Sequence, residues 1–132
     1  EMQRSLVGSE MCIRDSHLGI IAYSPMERGL LTGKYFQGSN LKGNDHRNSY
    51  FRQFDLPKVQ TFLETIAPIA EEKGATLSQL VLRWTTLQPG ITIVLAGARD
   101  AKQAIANAKA MNIHLSPDEL QFINRELAKL SL

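Results

Sequence analysis

Two short apolar runs constrain the fold of this 132-residue chain more than any other feature. They are Ile20-Ile21-Ala22-Tyr23 and Ile91-Thr92-Ile93-Val94-Leu95-Ala96. The first shows no polar alternation, the pattern of a strand buried in a parallel sheet. The second has β-branched residues at four of its six positions, which favours the pleated conformation. Pro25 ends the first run because it has no N–H to donate to a ladder. Helical patterns fill the interval, so the order is strand, loop, helices, strand, helix, helix. That is the rhythm of α/β architecture with parallel strands. Two parallel strands do not make a stable sheet alone. The chain therefore reads as one part of a larger α/β fold, and its start at Glu1 is read in the same way.

The helices announce their ends. From about Pro57 to Lys73, residues Val59, Phe62, Leu63, Ile66, Ile69 and Ala70 keep one apolar face. Pro68 lies inside that pattern and is expected to kink it or to begin a second segment. Gly74 suits the end of this helix. Thr76 with Gln79, and Ser116 with Pro117 and Glu119, have capping-box spacing. The helix after Thr76 is expected to bury Leu77, Leu80, Val81, Trp84 and Leu87, and to stop at Gln88-Pro89-Gly90. The last helix is lined by Leu120, Ile123, Leu127 and Leu130. Residues 36–56 read as a long polar loop, and loops of that length are lids, binding loops or disorder. Its mix of His46, Arg47, Tyr50, Phe51 and Arg52 permits contact with an anion, and equally fits a solvated loop.

Composition excludes several functions. With 15 basic and 13 acidic residues the net charge is +2, too balanced to draw the chain to nucleic acid or a membrane surface. No apolar run approaches the roughly 18 residues of a membrane span. The single cysteine, Cys12, leaves no internal disulfide and fits a reducing compartment, so a cytoplasmic location is expected. Residues 1–16 show no clean period, because Gly8 and Ser9 interrupt a loosely helical pattern.

The stretch with chemistry in it is Val94 to Asn107, the end of a strand, a Gly97-Ala98-Arg99 turn and the opening of a helix. Such a turn aims backbone N–H groups and the positive helix end at one spot, which suits a phosphate. Arg99 adds a planar cation matched to phosphate oxygens. Asp100 stands at the N-cap position with Gln103 three residues on. Gln103 and Asn107 share one helix face and both donate and accept, as recognition of a base edge requires. The same residues also serve as ordinary strand-to-helix turn chemistry. Ala101, Ala104, Ile105 and Ala108 form a small-residue stripe that would let the helix lie close to a sheet.

Together these segments resemble the aldo-keto reductase family. IIAYSPMERGLLTGKY is similar to its segment I-x-Y-S-P-L-x-x-G-x-L-T-G-K-Y. VLAGARDAKQAIAN is similar to its later motif (I/L)-P-G-(A/T)-(R/K/S)-x-x-x-Q-x-x-E-N. The stretch GATLSQLVLRWTTLQPGITIVLAGA joins them with a family-like helix pair. The likeness runs over roughly residues 18–127. It implies that residues 17–132 are the C-terminal half of a (β/α)₈ TIM barrel, supplying the last two strands and following helices, incomplete on its own. Such barrels take about 250 residues. Residues 1–16 do not match the family pattern and are read as a foreign or mistranslated segment joined to it.

The resemblance further implies NADPH (NADP) as cofactor, bound in an extended pose at the C-terminal ends of the strands. Tyr23 matches the aromatic that stacks on the nicotinamide, and Ser24, Pro25 and Met26 the loop at the pyrophosphate. Gly29 and Lys34 match the remaining positions of that motif, with Lys34 near a phosphate. Gly97 and Arg99 match the surroundings of the 2′-phosphate, and Gln103 and Asn107 the adenosine end. Arg47 is a weaker match for a residue closing over the cofactor. Met26 stands where the family prefers Leu, Ala96 where it has Pro, and Ala106 where it has an acidic residue. The family's catalytic Asp, Tyr, Lys and His belong to the first half of the barrel and have no counterpart here; His17, His46 and His114 are in other contexts. The implied whole is an NADP-dependent oxidoreductase that reduces aldehydes or ketones by hydride transfer, and this part, inactive alone, supplies cofactor binding. Its partner is a small-molecule carbonyl substrate. The alternative is a non-catalytic NADPH-binding protein of the same fold, like channel β subunits.

Overall fold

The structure is a computed structural model and describes residues 18–37 and 45–130. The segment 1–16 and His17 lie outside the described residues. Strand β1 (Ile20–Tyr23) and strand β2 (Ile91–Leu95) pair in parallel, as their composition requires. The pairing is Ile20 with Ile91, then Ile21 with Ile93 and Tyr23 with Leu95, so Thr92 is an extra residue at a bulge. Its Oγ1 accepts from the Ile20 N–H at 3.3 Å, which takes the place of a ladder bond there.

Between the strands the chain forms a 3₁₀ turn (Glu27–Thr32) and three helices: α1 (Arg47–Phe51), α2 (Leu56–Glu72) and α3 (Leu77–Thr86). After β2 come α4 (Ala101–Ala108), a 3₁₀ turn (Lys109–Asn112) and α5 (Pro117–Ala128). The core lies between α2, α3 and α5, where Leu63, Ile66, Leu80 and Ile123 are fully buried. Leu30 of the first 3₁₀ turn and Phe51 of α1 close it at one end. Trp84 and Leu87 pack at its margin, and Leu82 is buried in addition to the expected Leu80 and Val81. Where α3 begins, Gly33 at φ 75° leaves room that a Cβ would take 2.9 Å from Leu77 Cδ1.

Local chemistry explains the helix ends. Thr76 and Gln79 form a complete capping box, as do Ser116 and Glu119, and Asp55 accepts from the Lys58 N–H. Glu119 also pairs with Lys73 at 2.8 Å, tying the end of α2 to the start of α5. Trp84 Nε1 donates to Asn124 Oδ1 at 2.7 Å, and Arg83 Nε to the Ile113 carbonyl at 2.8 Å. The first ties α3 to α5, and the second ties α3 to the segment that leads into α5.

Four expectations are corrected. The strands are covered on one face only: Ile21, Tyr23, Ile93 and Leu95 stand half to four-fifths exposed, because α3 packs behind β2 and nothing described lies in front. Of the two expectations for Pro68, a second segment is not formed: one helix runs from Leu56 to Glu72, with Pro68 on the exposed side while the buried face runs on from Ile66 to Ala70. The stretch 36–56 is not all loop, since α1 forms within it. Phe51 is buried and meets Tyr35 edge-on, and Tyr50 meets Phe54 likewise, so the aromatics there make a packed cluster. Last, the stripe Ala101, Ala104, Ile105, Ala108 is exposed, and α4 leans instead on α3, with Gln79 Nε2 donating to the Ala106 carbonyl.

Two predictions follow from this packing. A chain of residues 17–132 alone should bind the dye ANS strongly and aggregate as its concentration rises, through the uncovered sheet face. Ile21→Thr with Ile93→Thr should reduce both signals, and equal aggregation would place the sticky surface elsewhere. The second concerns the Lys73–Glu119 pair. Lys73 and the Ser116 N–H hold the Glu119 carboxyl below its ordinary 4.5, so its contribution is present above pH 4.5 and fades as pH falls through the lowered value. Lys73 is raised above 10.5, so the basic limb lies beyond that pH. Urea unfolding across the acid range should show Glu119→Gln less stable than the parent above pH 4.5, with the gap closing below it.

Candidate functional site

Both strands end at the same edge of the sheet, and two unusual turns follow them. After β1, Ser24, Glu27 and Arg28 adopt left-handed φ values of 54°, 44° and 54°, and Gly29 follows at 99°. The Glu27 N–H donates to the Ser24 carbonyl at 2.9 Å and the Gly29 N–H to the Met26 carbonyl at 2.8 Å. The turn from Met26 to Gly29 thus has both central residues left-handed, a geometry normally given to Asn and Gly. Holding Glu and Arg there costs on the order of 1–3 kcal/mol each, and such strain gathers at ligand clamps. Thr32 Oγ1 donates to the Gly29 carbonyl and accepts from the Lys34 N–H, which carries the constraint on to Lys34.

After β2, the Gly97-Ala98-Arg99 turn is clasped by the helix that follows it. Asp100 caps α4 by accepting from the Gln103 N–H at 2.7 Å. Gln103 Oε1 accepts from the Arg99 N–H at 2.8 Å, where a capping box would have used Asp100. Asn107 Nδ2 donates to the Gly97 carbonyl at 3.1 Å. The two side chains expected to read a base edge therefore each spend one group holding the turn. Gln103 Nε2 and Asn107 Oδ1 keep capacity for a ligand.

The two turns and α1 border a half-open cavity of about 820 Å³. It is lined by all ten residues singled out above: Tyr23, Ser24, Pro25, Met26, Gly29, Lys34, Gly97, Arg99, Gln103 and Asn107. Arg47 is there too. The lining also includes Phe51, named above with the aromatic and basic residues of 36–56, and Arg28, Thr32, Tyr35, Asp45, Ser78 and Leu95, which sequence reasoning missed. Arg28 and Thr32 sit inside the first motif, and the Asp45-x-Arg47 spacing was a readable signal. Ser78 carried none, since it arrives with the first turn of α3. His46 and His114 are not in the lining.

Electrostatically the cavity is basic, with Arg28, Lys34, Arg47 and Arg99 against Asp45. Arg47 is not an open anion receptor. Its guanidinium grips Asp45, with Nη2 to Oδ2 at 2.6 Å and Nε to Oδ1 at 3.0 Å, and its own N–H adds a third bond to that carboxylate. Arg47 holds the Asp45 carboxyl down to about 2. Arg28 lies over the Tyr50 ring, 3.9 Å from its centre. Tyr50 in turn donates to Glu27 Oε2 at 2.5 Å, and that bond raises the phenol above its ordinary value. Lys34 and Arg99 are exposed, and among the described residues no acidic side chain is paired with either. They leave the cavity with two cations to offer an anionic ligand. Among the described residues no helix is long and apolar enough to cross a membrane.

A model of the Aldo/keto reductase family matches residues 8–127. The match begins inside the segment 1–16 that was expected to lie outside the family, so residues 8–16 fall within it. The chain is 31% identical over 122 residues to an L-glyceraldehyde 3-phosphate reductase of Escherichia coli O157:H7, covering 88% of this chain and 35% of that protein. It is 34% identical over 116 residues to a putative voltage-gated potassium channel subunit beta of Schizosaccharomyces pombe, covering 83% and 34%. It is 31% identical over 116 residues to an NADH-specific methylglyoxal reductase of Escherichia coli K12, covering 88% and 35%. The chain thus spans about a third of the length of the curated relatives it matches. Its fold is similar to that of a glycerol dehydrogenase from Gluconobacter oxydans, with a TM-score of 0.75 at 24% identity over 89% of this chain and 36% of that one.

The Asp45–Arg47 grip predicts a measurable titration. Carboxyl carbon NMR should place Asp45 near 2, and Arg47→Ala should return it toward 3.8. Because its value is lowered on folding, the bond steadies this wall of the cavity above pH 3.8 and is lost as pH falls through about 2. An unmoved titration in Arg47→Ala would show that another group holds the carboxylate.

Proposed function

Because the chain belongs to the aldo/keto reductase family, we propose that it is the C-terminal part of the (β/α)₈ barrel of an NADP(H)-dependent oxidoreductase that reduces aldehydes or ketones. This part supplies the cofactor site. The observation that carries the reading is convergence. Residues from two motifs some 60 positions apart in the chain line one basic cavity at the C-terminal ends of two parallel strands, the end at which barrels of this architecture carry their sites.

The lining suits an extended dinucleotide. Tyr23, 83% exposed at the strand end, offers a flat aromatic face for stacking. Ser24 offers a hydroxyl in a turn held by its own backbone bonds, with Pro25 and Met26 beside it. Gly29 lets a ligand approach the backbone, and Lys34 adds a charge for a phosphate. At the other turn Arg99 is the group for a 2′-phosphate, beside Gly97, and Gln103 and Asn107 border the adenosine end. When bound, the cofactor supplies the hydride. The residues of this chain bind and orient it, while the proton donor for the carbonyl and its tuning groups come from the remainder of the parent, which works in the cytoplasm. A second reading, a non-catalytic NADPH-holding subunit, draws on the likeness to the potassium channel subunit. A tyrosine and a lysine at the catalytic positions upstream favour the enzyme.

The test is Arg99→Ala in the full-length protein. Affinity for NADPH should fall roughly tenfold or more, the worth of a hydrogen bond to a charged group, and affinity for NADH should fall much less. An equal loss for both overturns the 2′-phosphate role, and a parent that prefers NADH, as one relative's name states, would assign Arg99 to another phosphate.

A further inference from the structure

Taking the cavity as the dinucleotide site, as above, we propose that Tyr50 is its positioning residue: it pins the wall carried by α1 to the left-handed turn Met26–Gly29 and so sets the cavity's shape before any ligand arrives. Each wall is organised locally. Ser24–Glu27 and Met26–Gly29 backbone bonds shape one, and the Asp45–Arg47 grip shapes the other. Those bonds do not join the walls.

Tyr50 does so twice. Its hydroxyl donates to Glu27 Oε2 at 2.5 Å, and its ring carries the Arg28 guanidinium 3.9 Å from the ring centre. Glu27 and Arg28 are the two non-glycine residues held left-handed at the centre of that turn. One side chain thus holds both residues that the backbone alone would release. Tyr50 is itself held, because the next residue, Phe51, is buried against Tyr35. A helix of five residues has little stability of its own, so the clasp also places α1.

The consequence is preorganisation. Arg28, Gly29, Arg47 and Phe51 line the cavity from the two clasped walls. A ligand entering a wall already set does not meet the entropy cost of ordering it. Phenylalanine at position 50 would keep the ring under Arg28 and lose only the bond to Glu27. The effect belongs to both dinucleotides alike, because the partners of Tyr50 are Glu27 and Arg28 and not Arg99.

The experiment uses the full-length protein that carries this chain, with hydrogen exchange and dinucleotide binding measured side by side. Tyr50→Phe should speed amide exchange at residues 26–29 and 47–51 and leave 101–108 unchanged, with the unfolding midpoint nearly unmoved. NADPH and NADH should both bind roughly three- to tenfold more weakly, as loss of one hydrogen bond implies, through faster dissociation. The KM for the dinucleotide should rise while kcat at saturation holds. Glu27→Ala should match Tyr50→Phe, Glu27→Gln should retain most of the affinity, and the double variant should be no worse than either single one. Unaccelerated exchange in Tyr50→Phe, or additive losses in the double variant, overturns the positioning role. A parent that binds neither dinucleotide overturns the cofactor reading instead, and the exchange comparison is then made without ligand.

Discussion

The parallel pairing of β1 with β2 is the constraint on which the rest depends. Parallel strands end at the same edge, and the register Tyr23 with Leu95 brings their last residues level. The turns that follow are then neighbours, although 60 or more residues of chain separate them. A slip of β1 by one residue would exchange its two faces relative to β2 and turn Tyr23 away from the cavity. The bulge at Thr92 belongs to this constraint, because it absorbs the mismatch before the pairing reaches Ile21 and Ile93.

Polar groups shape the site from outside rather than from within the core. No polar side chain is buried among the described residues. The turn after β2 is clasped by Gln103 and Asn107, the turn after β1 by Tyr50, and the segment before α1 by Asp45 with Arg47. The clasps of Gln103 and Asn107 are exposed, and those of Tyr50 and Asp45 part-buried. Their value lies in fixing backbone that would otherwise leave strained conformations, which is a different task from stabilising the helical core.

What could be read from the sequence divides along the same line. The capping boxes at Thr76 and Ser116 were legible because both partners lie three residues apart on one chain. The part of the cavity lining that comes from the two motifs was legible because each motif is contiguous, whereas Ser78 and Asp45 come from elsewhere in the chain. α1 was not, since Phe51 is buried only through Tyr35 and the core it reaches, and no local pattern encodes that contact. Gln103 and Asn107 were legible as a pair on one face but not in what they do, because their partners are the backbone of the turn itself. The alanine stripe misled for a related reason: small residues permit close packing, yet Gln79 bonding to the Ala106 carbonyl draws α4 toward α3.

Tyr23 and Leu95 belong at once to the cavity and to the uncovered face of the sheet. That double membership has a physical consequence. Ile21 and Ile93 continue the same apolar surface away from the cavity, and a face of this kind is buried in a stable α/β sheet. Whatever covers it must border the cavity at Tyr23. The cavity is therefore bounded by the two turns along most of its lining and by that covering layer at Tyr23.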